Sequence, residues 1–371
     1  MKNKLKLLIL EPYYGGSHKH FIDGYLRHTK HEVELLTMPA RKWKWRMRGA
    51  AMYFANEIKN KSYDVLFVCD FINLAELIGM LPAQKASVPK IVYFHENQLT
   101  YPVPDESTRE YEYSFTNITT CLAADKIVFN SEYHRQCLIN GAQPFINRMS
   151  DFVPKNISNV IANNSVVISP GIEWKNYRSA EHDISEKTGS PLILWNHRWE
   201  FDKNPQDFFN ALYKLSDEGI DFKLAVLGEN FRKYPKVFDE AREKLQQYIS
   251  HWGYVRSRED YLSWLCKSDI IVSTAIHEFF GIAIVEAIVA GCYPILPDRL
   301  AYPFVLPKEF HKTHIYKTNK ELFRKLRNAC TNLTETRSVD ISQSFKKYDW
   351  TNIASQLDSL FEEEFRAGTS V

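Results

Sequence analysis

The chain has 371 residues, of which 44% are apolar and 25% charged, with a formal net charge of +2. That balance excludes a disordered chain and a uniformly polycationic or polyanionic one, and the length suits two domains of ordinary size. The six cysteines show no metal-type spacing, and the N-terminal apolar run, 5–10, is too short for a signal-peptide core or a membrane span. The sequence therefore reads as that of a cytosolic protein with reduced thiols. Its Asn-x-Ser/Thr sequons at Asn117, Asn156, Asn163 and Asn332 then read as chance.

In chain order, short β-branched runs alternate with amphipathic stretches. The expected strands are 6–10, 32–37, 65–69, 90–94 and 126–130, then 192–196, 223–227, 249–253, 270–274 and 293–296. A less regular stretch near 142–165, with Pro144 and Pro154 as breakers, separates the two series. Strand–helix–strand alternation implies parallel sheets covered by helices on both faces. The expected fold is α/β, with two doubly wound, Rossmann-like domains facing across a cleft. The expected boundaries are 1–170 for an acceptor-side domain and 171–346 for a nucleotide-sugar domain. A C-terminal helical segment, 347–371, packs back toward the first domain, and a hinge lies between Pro170-Gly171 and Pro191.

In such folds ligands bind beyond the carboxyl ends of strands, and four polar segments sit there. The first, "EPYYGGSHKHF" (11–21), holds Gly15, Gly16, Ser17 and His18. A glycine pair after a strand is either an ordinary turn or a place where backbone N–H groups approach an anion. The second, "FHENQLTYP", puts His95, Glu96 and Asn97 directly after a strand. The third, "WNHRWEFDKNP", spaces Arg198 and Lys203 five residues apart. In the fourth, "STAIHEFFGIAIVEA", Glu278 lies in a turn, Phe280 and Gly281 open a helix, and Glu286 interrupts an apolar helix. A carboxylate at Glu286 is costly unless hydrogen-bonded or open to a cleft. Free N–H groups at that helix start, with Arg198 and Lys203, suit a diphosphate, and the carboxylates suit vicinal hydroxyls. The combination points to a nucleotide-sugar. No Asp-x-Asp occurs, so no metal clamp is expected.

Glu278 to Glu286 resembles the E-x7-E pattern of retaining glycosyltransferases of the GT-B fold, the glycosyltransferase family 4 type. More specifically, "EPYYGGSHKHF", "PARKWKWRMRGAAMYF", "FHENQLTYPV" and "HEFFGIAIVEAIVAGCYPILP" together resemble the tRNA-queuosine α-mannosyltransferase family, in order over nearly the whole chain. The resemblance implies that Arg198 and Lys203 hold the donor diphosphate and that Glu286 binds the ribose hydroxyls. It implies that Glu278 contacts the transferred sugar, aided by the amides of Phe280 and Gly281, and that His95 touches the sugar near the reacting carbon. Gly15 and Gly16 approach the phosphates, on this reading because a side chain would block donor and acceptor from meeting. Tyr254, in "HWGYV", belongs to the loop beside the nucleobase, and Glu96 and Asn97 to the acceptor side. "NHRW" departs from the commoner Gly-Arg-Leu start of the diphosphate loop, while the Arg-to-Lys spacing survives.

The segment 41–48 carries Arg41, Lys42, Lys44, Arg46 and Arg48, interleaved with Trp43 and Trp45. Helical spacing turns Trp43, Met47, Ala50, Phe54 and Ile58 toward a core. The cations oppose the helix dipole, so they suggest an anionic partner. Together with Trp45 as a stacking platform they suit RNA, although an anionic membrane surface has the same chemistry. The resulting expectation is a hexosyltransferase moving mannose from GDP-mannose to queuosine in a tRNA anticodon loop, without a metal and without stable membrane insertion. The alternatives are a transferase acting on a lipid or polysaccharide precursor, and a non-catalytic RNA-binding protein on a decayed fold.

Overall fold

The computed structural model describes residues 4–103, 110–177, 187, 189–229 and 234–369. They form two compact units, one of Met1–Gly171 with Trp350–Val371 and one of Ile172–Asp349. The expected hinge falls partly on 178–186 and 188, outside the described residues.

The first unit holds β1 (Lys6–Tyr14), β2 (Glu32–Pro39), β3 (Val65–Cys69), β4 (Lys90–Phe94), β5 (Lys126–Phe129) and β6 (Ser165–Val167). They pair in the order β2-β1-β3-β4-β5-β6, every pair parallel. The second unit holds β7 (Leu192–Asn196), β8 (Lys223–Leu227), β9 (Ile249–Trp252), β10 (Ile270–Val272), β11 (Tyr293–Pro297) and β12 (Ile315–Tyr316). Their order is β12-β11-β10-β7-β8-β9, again all parallel. Every residue of β3, β4 and β7 is buried, because helices cover both faces of a parallel sheet; that is why these strands read as unbroken apolar runs. The strand order reverses between β1 and β3 in one unit and between β7 and β10 in the other. Those switch points leave open crevices at the carboxyl ends.

Three expectations are corrected. β1 runs on past Leu10 through Glu11 to Tyr14, and the first helix starts at Gly16. Pro144 does not break the chain: it lies inside the helix Glu132–Ile146, near its C-terminal end. β6 and β12, at three and two residues, are too short to leave a periodic signature.

The last helix, Trp350–Thr369, belongs to the first unit. Its Trp350, Ile353, Leu357 and Phe361 pack with Leu7, Ile9, Phe21 and Tyr25. Asp358, buried, accepts hydrogen bonds from Tyr25 Oη and Thr29 Oγ1, both 2.7 Å away, and from Lys30 N at 3.0 Å. The Trp350 indole fills the space over two glycines: a Cβ would come within 2.0 Å of it at Gly24 and 2.4 Å at Gly171. Alanine normally gains up to ~1 kcal/mol over glycine inside a helix. Here the buried indole cannot yield, so Gly24→Ala should instead destabilise the chain by ~1–3 kcal/mol. A denaturant midpoint unchanged or raised by this substitution would contradict the packing.

Candidate functional site

In the second unit the loop after β7 and the loop after β10 are fastened together. Lys203 is 6% exposed, and its ammonium donates to the His277 carbonyl at 2.8 Å. It lies 3.2 Å from Asp202 Oδ2 and 3.3 Å from Glu278 Oε2. The backbone repeats the connection, since Ile276 N and His277 N donate to Asp202 O and Thr274 Oγ1 donates to the carbonyls of Lys203 and Asn204. Burial pushes the Lys203 pKa down, but Glu278 and Asp202 more than compensate and hold it above its ordinary value. Burial likewise opposes ionisation of Glu278, yet Lys203 keeps its carboxyl below the usual range. Both groups stay charged. His197 and His277, buried beside the Lys203 cation, are pushed down to about 4 and stay neutral.

Arg198 stands at the edge of this arrangement, its side chain 47% exposed and 3.4 Å from Glu200 Oε2. The turn holding it is tight: a Cβ at Gly228, which has φ +118°, would lie 1.9 Å from the His197 carbonyl oxygen. Gly281 precedes the helix Ile282–Val289 with φ +88° and packs against Tyr302 and Glu278. Phe280 is buried edge-on to Tyr348. Tyr254, after β9, is 59% exposed. Glu286, expected to face ribose hydroxyls, is occupied by three side chains that sequence reasoning missed. Oε1 accepts from Tyr177 Oη at 2.7 Å and from Arg258, and Oε2 accepts from Tyr261 Oη at 2.9 Å. These donors answer the cost of a carboxylate in an apolar helix. Tyr177 lies 109 residues from Glu286, so no spacing rule could have found it.

In the first unit the corresponding cluster is at the β1/β3 switch point. His95, half-buried, follows β4 and is enclosed by Tyr93, Phe21 and His18, with ring centroids 4.7, 5.1 and 4.0 Å away. Glu96 N donates to Asp70 Oδ2 at 3.0 Å, and burial raises the Asp70 carboxyl to about 7. Glu11, wholly buried, accepts from the His18 ring at 3.2 Å and from Tyr13 N at 2.7 Å. Glu11, Cys69 and His95 offer three ligand-type atoms within 4.8 Å of one another. Both oxygens of Glu11 are already engaged with His18.

Several acceptor-side expectations change. Gly15 has a packing reason of its own, because a Cβ there would meet Ala40 Cβ at 2.4 Å. Gly16, at φ +51° with nothing within 4 Å of a built Cβ, serves the turn. Asn97 is fully buried and braces its own loop, accepting from Thr100 N at 2.9 Å. Arg46 is 7% exposed and donates to the Pro39 carbonyl at 3.1 Å. It lies beside Met47 on the buried side of the helix Trp43–Ile58, so it offers no phosphate contact. Lys44 pairs with Glu110 and Arg48 with Glu112, so part of the charge expected to attract an outside anion is met within the chain. Arg41 and Lys42 are exposed, and no carboxylate among the described residues pairs with them. Trp45 is 57% exposed, lying over Gly49.

The neutral histidines fix the sign of a pH effect. A folded pKa of about 4 for His197 and His277 lies below the ~6.5 of an unfolded histidine, so the unfolded chain binds more protons between those values. Stability should fall as pH drops from ~6.5 to ~4, by at most ~3 kcal/mol per histidine. Urea midpoints measured through that window should fall, and His277→Asn should flatten the decline. A flat wild-type profile would contradict the burial of these rings beside Lys203.

Residues 6–172 match the family described as tRNA-queuosine alpha-mannosyltransferase N-terminal, and residues 178–342 match glycosyl transferases group 1. A Drosophila melanogaster tRNA-queuosine alpha-mannosyltransferase is 39% identical over 335 residues, 88% of this chain and 87% of its own length. A Mycobacterium tuberculosis GDP-mannose-dependent alpha-(1-6)-phosphatidylinositol dimannoside mannosyltransferase is 23% identical over 145 residues, 38% of this chain and 37% of its own. Among solved structures, sucrose-phosphate synthase from Thermosynechococcus elongatus superposes with a TM-score of 0.74 at 13% identity, covering 98% of this chain and 100% of its own. A Rickettsia africae glycosyltransferase gives 0.68 at 16% identity, covering 98% and 99%. The structural likenesses establish the GT-B fold alone. The sequence kinship goes further: the chain belongs to the tRNA-queuosine alpha-mannosyltransferase family.

Proposed function

We propose that the chain is a retaining mannosyltransferase that moves mannose from GDP-mannose to queuosine in tRNA. Kinship over 88% of its length with an enzyme of that name carries the reading, and the ionised Lys203–Glu278 pair beside exposed Arg198 supports it chemically. Arg198 and the amides at Phe280 and Gly281 take the diphosphate, with Lys203 supplying charge from beneath. Glu278 accepts hydrogen bonds from mannose hydroxyls, Glu286 and its tyrosines border the ribose, and Tyr254 borders the base. The family resemblance assigns His95 to the sugar, near the anomeric carbon. The acceptor hydroxyl oxygen bonds to that carbon on the face that the diphosphate leaves. The carbon–oxygen bond to phosphate breaks with its electron pair going to GDP, and the acceptor proton passes to the departing phosphate oxygen. Catalysis is positioning and stabilisation of the leaving charge. Arg41, Lys42 and Trp45 meet the RNA, while Lys44 and Arg48 exchange their glutamates for phosphates. Among the described residues no helix is long and apolar enough to cross a membrane.

Incubating the purified chain with GDP-mannose and tRNA should add one hexosyl unit to queuosine, read by nucleoside mass spectrometry. tRNA lacking queuosine should stay unmodified, and equal transfer to both would overturn the acceptor assignment. Arg198→Ala should weaken GDP binding by ~1.5–3 kcal/mol, the value of a charge-assisted contact. Glu278→Gln should lower turnover at least ~tenfold, or ~1.4 kcal/mol, with GDP affinity nearly unchanged because Asp202 still faces Lys203. Equal loss of GDP binding would remove Glu278 from the sugar. Activity should survive a chelator, since cationic side chains hold the diphosphate; loss restored by Mg²⁺ would contradict this. Replacing Arg41 and Lys42 with Gln should reduce the slope of log tRNA affinity against log salt by a little under ~1 unit per contact. Unchanged tRNA binding with lost affinity for anionic vesicles would favour a lipid acceptor instead.

A further inference from the structure

His18 occupies a position that its place in a glycine-rich turn does not explain. It is 5% exposed, two residues into the helix Gly16–His28, and inserted between two rings. On one side it stacks on Phe71 at 5.3 Å with planes 8° apart, and on the other it meets His95 at 4.0 Å and 32°. Tyr13 closes its edge at 5.8 Å. Its Nδ1 lies 3.3 and 3.2 Å from the two oxygens of Glu11. Glu11 is itself held by Tyr13 N and has no exposure to solvent. A buried carboxylate is costly unless a cation and hydrogen bonds answer it. His18 is that cation, and the turn at Gly16 delivers it.

We infer that His18, clamped by Glu11 and stacked on His95, is a positioning residue that fixes the plane of the His95 ring for the sugar. The inference rests on the reading that His95 contacts the transferred mannose. The groups facing the pair are Glu11 from β1, Cys69 and Asp70 from the end of β3, Glu96 after β4, and His134 from the helix Glu132–Ile146. Burial alone would push the His18 pKa down, but Glu11, then Asp70 and Glu96, lift it to about 9. His95 is held well below its ordinary value, first by burial and then by the His18 charge. A buried imidazolium thus lies against a neutral imidazole. It limits His95 to accepting or donating one hydrogen bond at each ring nitrogen without becoming a second cation.

The sign of the pH effect follows. The His18 pKa is raised in the folded state, so the stability its charge contributes is full below ~6.5, and the charged pair with Glu11 is lost as pH rises through about 9. The wild-type kcat should therefore fall on the alkaline side near pH 9. His18→Phe keeps the ring stack but removes the charge. It should lower kcat at neutral pH at least ~tenfold, leave the KM for GDP-mannose and GDP binding within about twofold, and abolish the alkaline limb. Imidazole NMR should also show His95 of His18→Phe gaining its proton at higher pH than in wild type. If His18→Phe does not fold, His18→Gln receives the same measurements. A variant with wild-type kcat, the same alkaline limb and the same His95 titration overturns the inference, as does a loss confined to GDP binding. His95→Ala separates the two readings. If it turns over like wild type, the sugar contact of His95 fails. If it is inactive while His18→Phe is fully active, only the role of His18 fails.

Discussion

One nearly buried lysine organises the second unit. Lys203 brings its charge into a site where an unpaired ammonium would be costly, and it is tolerated because Asp202 and Glu278 face it and the His277 carbonyl accepts from it. Breaking such a buried set leaves an uncompensated charge, a cost of ~3–5 kcal/mol. The loop after β7 and the loop after β10 are therefore not free to move independently. Arg198, Glu278 and the start of the helix Ile282–Val289 are carried on those two loops. Preorganisation of the donor groups is thus a consequence of the folding requirement of Lys203; His197 and His277 stay neutral first because they are buried, and the Lys203 charge adds to that.

The first unit solves a similar problem with different residues. Its buried carboxylate, Glu11, is answered by His18 rather than by lysine, and the product of that pairing is an ordered ring beside His95. Both arrangements lie where the strand order reverses, at β7/β10 and at β1/β3. At those points adjacent loops diverge to opposite faces and leave polar backbone to be satisfied. Side chains placed there are held from several strands at once, which suits groups whose work is positioning.

The same geometry explains what the sequence revealed and what it concealed. Strands such as β3, β4 and β7 were legible because full burial forces continuous apolar runs, and residues following them, His95 and Arg198, could be singled out by position. Glu286 stood out as a carboxylate in an apolar helix, and Glu278 by its E-x7-E spacing from it. The partners were not legible, because Lys203 meets Glu278 across 75 residues and Glu286 meets Tyr177 across 109. Gly15 was given a ligand as its reason, and the packing of Ala40 against it, a further reason, was not legible. Arg46 was grouped with the other cations because a count of charges ignores which side of a helix each one occupies. Its neighbour Met47 is buried, and the guanidinium turns back to Pro39 O instead. Asn97 was assigned to a substrate, yet asparagine after a strand is also a loop brace.

The central claim is that the buried charges around Lys203 form one unit that holds the donor loops. A double-mutant cycle in urea denaturation tests it most directly, using Lys203→Met, Asp202→Asn and both together. Lys203→Met alone should cost ~3–5 kcal/mol, because it leaves Asp202 and Glu278 buried without their cation. Adding Asp202→Asn removes one of those carboxylates, so the double variant should be more stable than the sum of the single losses by ~1 kcal/mol or more. Strictly additive losses would mean that the charges do not act together, and the account of how the donor loops are held would be wrong.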